Sequence, residues 1–254
     1  MTQRIKGKLT KSKILGSGKL DNPGLKFFEK SHKYKKGNKE FKSVTTFIGE
    51  MFEPFDRKGI AKKLSKFQVY KKKGLGQRKI VKQWKEAADH GTRVHKAIEN
   101  YINNEPIPKT LLPDDRSKLA RAREYIHHND FKEIIAEVVV CSEKYLLAGT
   151  IDALIIKDGK LYIIDWKTNK EIKTKAYKGR KGIHPRTKDL DDCHLVKYSL
   201  QLSLYAYILE VEYGFHIEKM YITHLLKDKY VEIEAIDYRK LMEEILNETR
   251  TTKE

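Results

Sequence analysis

Two aspartates and a lysine share one face of a predicted β-hairpin in the middle of the chain. Asp-Gly at 158–159 separates two apolar runs, a strong signal for a two-residue turn. If the residues flanking this turn pair, Asp152 lies directly opposite Asp165, with their Cβ atoms about 4.5–5.5 Å apart. Lys167 comes two residues after Asp165 and therefore points to the same face of the strand.

This arrangement is costly unless a cation is bound. Two like charges in apolar surroundings cost several kcal/mol when nothing compensates them. A divalent metal is the natural compensator, because hard cations prefer carboxylate oxygen. Such a metal lowers the pKa of a bound water and neutralises charge on a phosphate, and a nearby lysine stabilises the transition state. The alternative is an exposed hairpin with ordinary salt bridges, which the apolar neighbours disfavour. The pattern therefore predicts metal-dependent phosphodiester hydrolysis.

The elements around the hairpin predict an α/β fold with a mixed central β-sheet flanked by helices. Apolar residues recur at helical spacing over 78–101 and again over 195–213, where Gly214 provides a C-cap. Patterning also predicts a helix at 115–128, a loop at 171–194 and a C-terminal helix. Strands are expected at 134–141, 145–156, 160–168, 219–226 and 230–236, and a short hairpin pairs 25–34 with 41–48.

Charge indicates a polyanionic partner. The 254 residues include 53 Lys and Arg against 35 Asp and Glu, a net charge of +18. We expect a flexible basic arm at 1–24 and a single domain at 25–254, in which a basic helical segment, 53–82, carries lysines and scattered aromatics.

Other features set limits on cofactors and location. No apolar run is long enough for a membrane helix, and the N-terminus lacks the apolar region of a secretory signal. The two cysteines, Cys141 and Cys193, are too few for an iron–sulfur cluster held by four thiolates. The Gly-Ser-Gly-Lys at 16–19 lacks the first glycine and the hydroxyl residue of a nucleotide-binding loop. The expected location is cytoplasmic, in the host if the protein is phage-encoded, with no membrane partner.

The order of motifs resembles the PD-(D/E)XK nuclease superfamily, in particular its RecB-like branch. The residues that carry the resemblance are Gly-Thr-Ile-Asp at 149–152 and Asp-Trp-Lys-Thr at 165–168. It implies a restriction-endonuclease-like core with a metal at one sheet edge. Asp152, Asp165 and Lys167 become the implied catalytic residues, with Asp152 and Asp165 as metal ligands.

Further matches extend the resemblance to residues outside the hairpin. Gly-X-X-X-His at 91–95 implies His95 as a metal ligand, and Gln201 with Tyr205 matches a Gln-X-X-X-Tyr motif. Gln201 and Tyr205 are expected either to support the hairpin or to contact DNA. Glu137, on the preceding strand, either helps to hold a second metal or pairs with a lysine. Trp166 is expected to pack in the core, while its carbonyl reaches the metal.

The resulting hypothesis is a Mg²⁺- or Mn²⁺-dependent DNA exonuclease of the phage type or mitochondrial genome-maintenance type, acting in recombination, repair or genome processing. Its expected substrate is DNA that is single-stranded or has free ends. Two alternatives remain open: an endonuclease of the same fold for branched or foreign DNA, and a non-catalytic DNA-binding protein on this scaffold.

Overall fold

The computed structural model describes residues 20, 22, 24–28 and 33–251, so most of the expected arm and the 16–19 stretch lie outside it. Strands in the described part are β1 (Leu25–Phe28), β2 (Lys33–Lys36), β3 (Lys39–Ser43), β4 (Glu133–Ser142), β5 (Leu147–Lys157), β6 (Lys160–Lys167), β7 (Ile217–Leu225) and β8 (Tyr230–Glu234). Its α-helices are α1 (Val44–Gly49), α2 (Arg57–Leu64), α3 (Gln68–Lys72), α4 (Gln77–Ile102), α5 (Pro113–Asn129), α6 (His194–Tyr213) and α7 (Arg239–Thr251). Two short 3₁₀ turns lie between β6 and α6.

All the described strands join in one mixed sheet organised around β5. Along one edge, β5 pairs antiparallel with β4 over nearly its whole length. The opposite edge of β5 is shared: β3 pairs with it in parallel at Leu147 and Ala148, and β6 pairs with it antiparallel from Ala153 onward. β7 then adds in parallel to β6, and β8 closes that side. The predicted α/β fold with a mixed sheet is confirmed.

The hairpin has the predicted turn and register. Asp158 and Gly159 both have positive φ, at 51° and 74°, as a type I′ turn requires. Lys157 pairs with Lys160, and the ladder continues to Ala153 opposite Ile164. Asp152 and Asp165 are the next residues on the two strands, so the turn residues did fix the register.

Helices cover both faces of the sheet. On one face, α1, α6 and α7 form an apolar layer that includes Ile48, Leu200 and Met242. On the other face, α4 and α5 bury Ile98 and Trp166. Trp166 is 1% exposed, so the predicted packing role of its side chain is confirmed. Within the described residues, no helix is long and apolar enough to cross a membrane.

The predicted hairpin at 25–34 and 41–48 is partly wrong. Residues 25–34 contain two separate strands, and residues 44–49 form helix α1 instead of continuing β3. Ser43 caps this helix, because its Oγ accepts a hydrogen bond from the Thr46 backbone N–H at 3.1 Å. Val44 and Ile48, one turn apart, are buried against the core. Capping and tertiary packing thus override the strand tendency of a short β-branched run.

Asp115 joins α4 to α5 and holds the helix that approaches the hairpin. Its carboxylate is fully buried and accepts hydrogen bonds from Arg93 Nε at 2.7 Å and from the Leu112 backbone N–H at 2.9 Å; His90 Nδ1 lies 2.5 Å away. Burial alone would raise the pKa of Asp115, but these partners lower it to about 2.

We expect Asp115→Asn to lower the free energy of unfolding by about 2 kcal/mol at neutral pH. Because the folded-state pKa is depressed, this stabilisation is present above about pH 4 and is lost as the pH falls toward 2. Urea unfolding at several pH values from 7 to 3 measures this contribution. The difference in the free energy of unfolding between wild type and variant should become smaller as the pH falls. The exposed neighbour Asp114, changed to Asn, is the control, and an equal loss in both variants would contradict the role of Asp115.

Candidate active site

Strands β5 and β6 separate at Asp152 and Asp165, and this point is called the fork below. Beyond Ala153 and Ile164 the ladder between β5 and β6 ends. At this point Asp152 Oδ2 accepts a hydrogen bond from the Trp166 backbone N–H at 2.8 Å. The side chains of Asp152 and Asp165 are 14% and 4% exposed. Two carboxylates, one buried and one partly buried, therefore lie where the strands separate.

Helix α4 brings His95 to the fork. His95 Nδ1 lies 3.4 Å from Asp152 Oδ1. One turn earlier in the same helix, a Cβ added to Gly91 would stand 3.4 Å from Thr168 Oγ1, so the helix passes close to the end of β6. This close approach of the helix at Gly91 brings the His95 imidazole up to Asp152.

Glu137 completes a cluster with His95 and Asp152. One ligand atom of each of these residues lies within 4.8 Å of the others. Glu137 falls opposite Asp152 between two regular pairs of the β4–β5 ladder, and its φ of 51° is left-handed. That conformation costs about 1–3 kcal/mol for a residue with a side chain. Strain of this kind persists at sites where a side chain must take a particular position.

Asp165 and Lys167 form an ion pair beside this cluster. Lys167 Nζ lies 2.6 Å from Asp165 Oδ2 and 4.4 Å from the ring centroid of Tyr198. The Tyr198 hydroxyl accepts a hydrogen bond from Asn169 Nδ2 at 3.0 Å, and the Asn169 carbonyl lies 2.7 Å from His224 Nε2. The ammonium group is thus held between a carboxylate and an aromatic face.

Crowded acids shift the pKa values at the fork. Burial, with the charge of Asp152 adding to it, raises the pKa of Asp165 to about 6 and that of Glu137 to about 7. Burial alone would lower the pKa of His95, but Asp152 outweighs it and raises the value to about 9. Burial alone would raise the pKa of Asp152, but the positive charges of His95 and Lys167 lower it below its usual range. Three acids in this space therefore need positive charge nearby.

Gln201 and Tyr205 lie behind the fork on α6. The two side chains share a hydrogen bond, and Tyr205 is 3% exposed. A Cβ added to Gly149 would stand 2.6 Å from Tyr205 Cε1, so the ring fills the space that this glycine leaves. The geometry favours a supporting role for Tyr205 beneath β5.

Two open clefts meet at the site. One, of about 450 Å³, is lined by residues that include His95, Glu137 and Asp152. The other, of about 790 Å³, runs between α4, the start of α5 and residues 168–170. Gly91 lines both clefts. An extended ligand could therefore pass from the carboxylates along the end of β6.

Sequence reasoning missed Tyr198 and Tyr34. Tyr198 precedes Gln201 by three residues, so helical spacing alone places it on the same face of α6. The Tyr34 hydroxyl lies 3.0 Å from Thr150 Oγ1, two residues before Asp152, and no local pattern links these distant segments. The partners of Asn169 likewise depend on tertiary contacts.

The donor set fits a hard divalent cation. Two carboxylates and one imidazole converge in the His95 cluster, and Asp165 adds a third carboxylate beside it. Oxygen ligands suit Mg²⁺, and an added imidazole suits Mn²⁺ somewhat better. His95, Glu137, Asp152 and Asp165 are therefore the residues that could hold a metal.

Strands that separate beside acids and a lysine are suited to the hydrolysis of phosphodiester bonds at a bound metal. The family model of the PD-(D/E)XK nuclease superfamily matches residues 65–252, so the chain belongs to this superfamily, and its fold is restriction-endonuclease-like.

Similarity to individual proteins is more limited. The chain is 29% identical over 122 residues to an ATP-dependent helicase/nuclease subunit from Carboxydothermus hydrogenoformans, a match to 46% of this chain and 9% of that protein. The chain thus corresponds to a small part of that protein's length, and this likeness supports the RecB-like branch. A solved structure described as "Crystal structure of SSO0001" is 15% identical, with 66% of this chain and 88% of that chain covered and a TM-score of 0.28.

Proposed function

We propose that this nuclease is a Mg²⁺- or Mn²⁺-dependent DNA exonuclease. The observation that carries the proposal is the fork itself, where Asp152, Asp165, Lys167 and His95 converge beside open clefts. The RecB-like motifs and the similarity to a helicase/nuclease protein support end-dependent cleavage and a role in recombination, repair or genome processing.

The proposed roles follow from the contacts. Asp152, Asp165 and His95 would hold the metal together with the Trp166 carbonyl, and Glu137 would support the site or a second ion. A divalent metal supplies a water of lowered pKa and neutralises charge on the phosphate when it is bound. Lys167 donates hydrogen bonds to the attacking water and to the phosphate oxygens, where negative charge develops. Asp165 and the Tyr198 ring fix the direction in which the ammonium points. Gln201 and Tyr205 keep β5 in place from behind.

Two basic segments are proposed to guide the DNA strand, 53–82 and 171–190. They are joined near the end of α1, where the Met51 carbonyl accepts a hydrogen bond from the Ile183 backbone N–H at 2.8 Å and from Thr187 Oγ1 at 3.3 Å. This link places the start of one segment beside the other. Lysines along both would neutralise phosphates without reading sequence.

Linear and covalently closed circular DNA distinguish the candidate functions. With Mg²⁺ or Mn²⁺, we expect the purified protein to degrade end-labelled linear DNA and to leave closed circles intact. Degradation of circles would make it an endonuclease. Binding that survives chelation, without cleavage under either metal, would leave a DNA-binding protein on a nuclease scaffold.

A further inference from the structure

The segment that precedes and begins α4 has an unusual charge pattern. Residues 57–85 contain twelve lysine or arginine residues and no aspartate or glutamate. Among the described residues, no acid lies within ion-pair distance of a cation between 57 and 79, and the first such pair joins Lys82 to Glu86. Lysines on the sheet differ, because Lys36, Lys160 and Lys219 each pair with a glutamate. The segment therefore presents uncompensated positive charge.

Large aromatic and apolar side chains are exposed in this segment and just before it. Phe55, Phe67 and Val69 are 63%, 61% and 60% exposed. Phe55 lies against Trp84 of α4, with ring centroids 5.3 Å apart. Ala61 is the buried residue within α2, and α3 has none, so these helices do little for the core. Exposed aromatic rings among lysines are the combination that binds single-stranded nucleic acid by base stacking and phosphate contacts.

Helix α4 connects this face to the active site. Gln77 Nε2 donates a hydrogen bond to the Lys58 carbonyl at 3.2 Å, which ties α2 to the start of α4. Trp84 is eleven residues before His95, which corresponds to about 16 Å along a helix. A strand that stacks on Phe55, beside Trp84, can therefore reach the carboxylates within a few nucleotides.

We infer that residues 55–73 bind unpaired nucleotides, with Phe67 and Phe55 stacking on exposed bases while the lysines follow the phosphates. Aromatic rings can stack on bases in a single strand, whereas the bases of a duplex already stack on each other. A duplex would use the lysines alone. This inference rests on the proposed function for the identity of the polymer, which is DNA. It adds that residues 55–73 recognise the single-stranded part of that DNA.

The test measures binding in the presence of a chelator, so that no hydrolysis occurs. Three labelled probes of equal length are used: single-stranded DNA, duplex DNA, and an abasic strand with the same phosphates. Phe67→Ala should weaken binding of the single strand at least about fivefold, leave the other two probes unchanged and keep the salt dependence. Phe67 is the residue that precedes α3, and its side chain makes no capping hydrogen bond, so the change should not unfold the helix.

Lys66→Gln is the matched control on the neighbouring residue. It should weaken binding of all three probes and reduce the salt slope by about 0.7 to 0.9. If Phe67→Ala weakens the binding of all three probes equally, or of none of them, the stacking inference is overturned. Cleavage of linear DNA by the wild type is scored separately: selective loss of single-strand binding without any nuclease activity would reject the proposed function and keep this inference.

Discussion

Lys167→Ala should lower the rate of DNA hydrolysis by about two to three orders of magnitude and leave DNA affinity nearly unchanged. Lys167 is a partly buried cation at the fork, held 2.6 Å from Asp165 and over the Tyr198 ring. Its charge is positioned in advance for the transition state, so the loss should appear in kcat and not in binding. Single-turnover cleavage of end-labelled DNA measures it.

The control for this prediction lies on the same strand. Lys160, at the outer end of β6, is half-exposed and pairs with Glu218, far from the fork. Lys160→Ala should cleave DNA at the wild-type rate. If Lys167→Ala keeps more than about a tenth of that rate, the lysine is not part of the chemistry.

Mg²⁺ or Mn²⁺ should raise the Tm of the wild type, and chelation should abolish hydrolysis until metal is restored. A ligand that binds only the folded state stabilises it by an amount that grows with its concentration. Asp152→Asn should lose both the Tm shift and the activity, because an amide is a poor substitute for a carboxylate ligand. The asparagine oxygen can still accept the Trp166 N–H hydrogen bond, so the fork itself should persist.

Asp158→Asn is the matched control for the metal prediction. Asp158 lies in the exposed turn with φ of 51°, a conformation that asparagine also tolerates. This variant should keep the full Tm shift and full activity. An equal metal-induced shift in Asp152→Asn, or hydrolysis that continues in excess chelator, would contradict a metal site at the fork.

Local patterns predicted the parts of the molecule that depend on near neighbours. The Asp-Gly turn determined the register of β5 against β6, apolar spacing located α4 and α6, and Gly214 ends α6 with a φ of 69°. Each of these features depends on residues a few positions apart. The position of Asp152 and Asp165 immediately beyond the last β5–β6 pair was predictable for the same reason.

Features that depend on distant segments were not predictable in this way. The helix at 44–49 forms because Val44 and Ile48 pack against the core next to α6, which begins only at His194. The left-handed Glu137 lies within an otherwise regular strand. Tyr198 approaches Lys167 only once α6 has docked on the sheet. The sequence is enough to identify the residues to mutate at the fork. The side chains that contact and position them can be identified only from the tertiary structure.

The type I′ turn also restricts where residues can be inserted into the chain. The turn is exposed and lies six residues from either aspartate, so it looks like a place that tolerates insertions. Side chains alternate across a strand, so a slip of one residue in the pairing would bring Trp166 or Ile164 opposite Asp152 and send Asp165 to the other face. An added loop, an epitope tag or new chain ends from circular permutation should therefore be inactivating at 158–159.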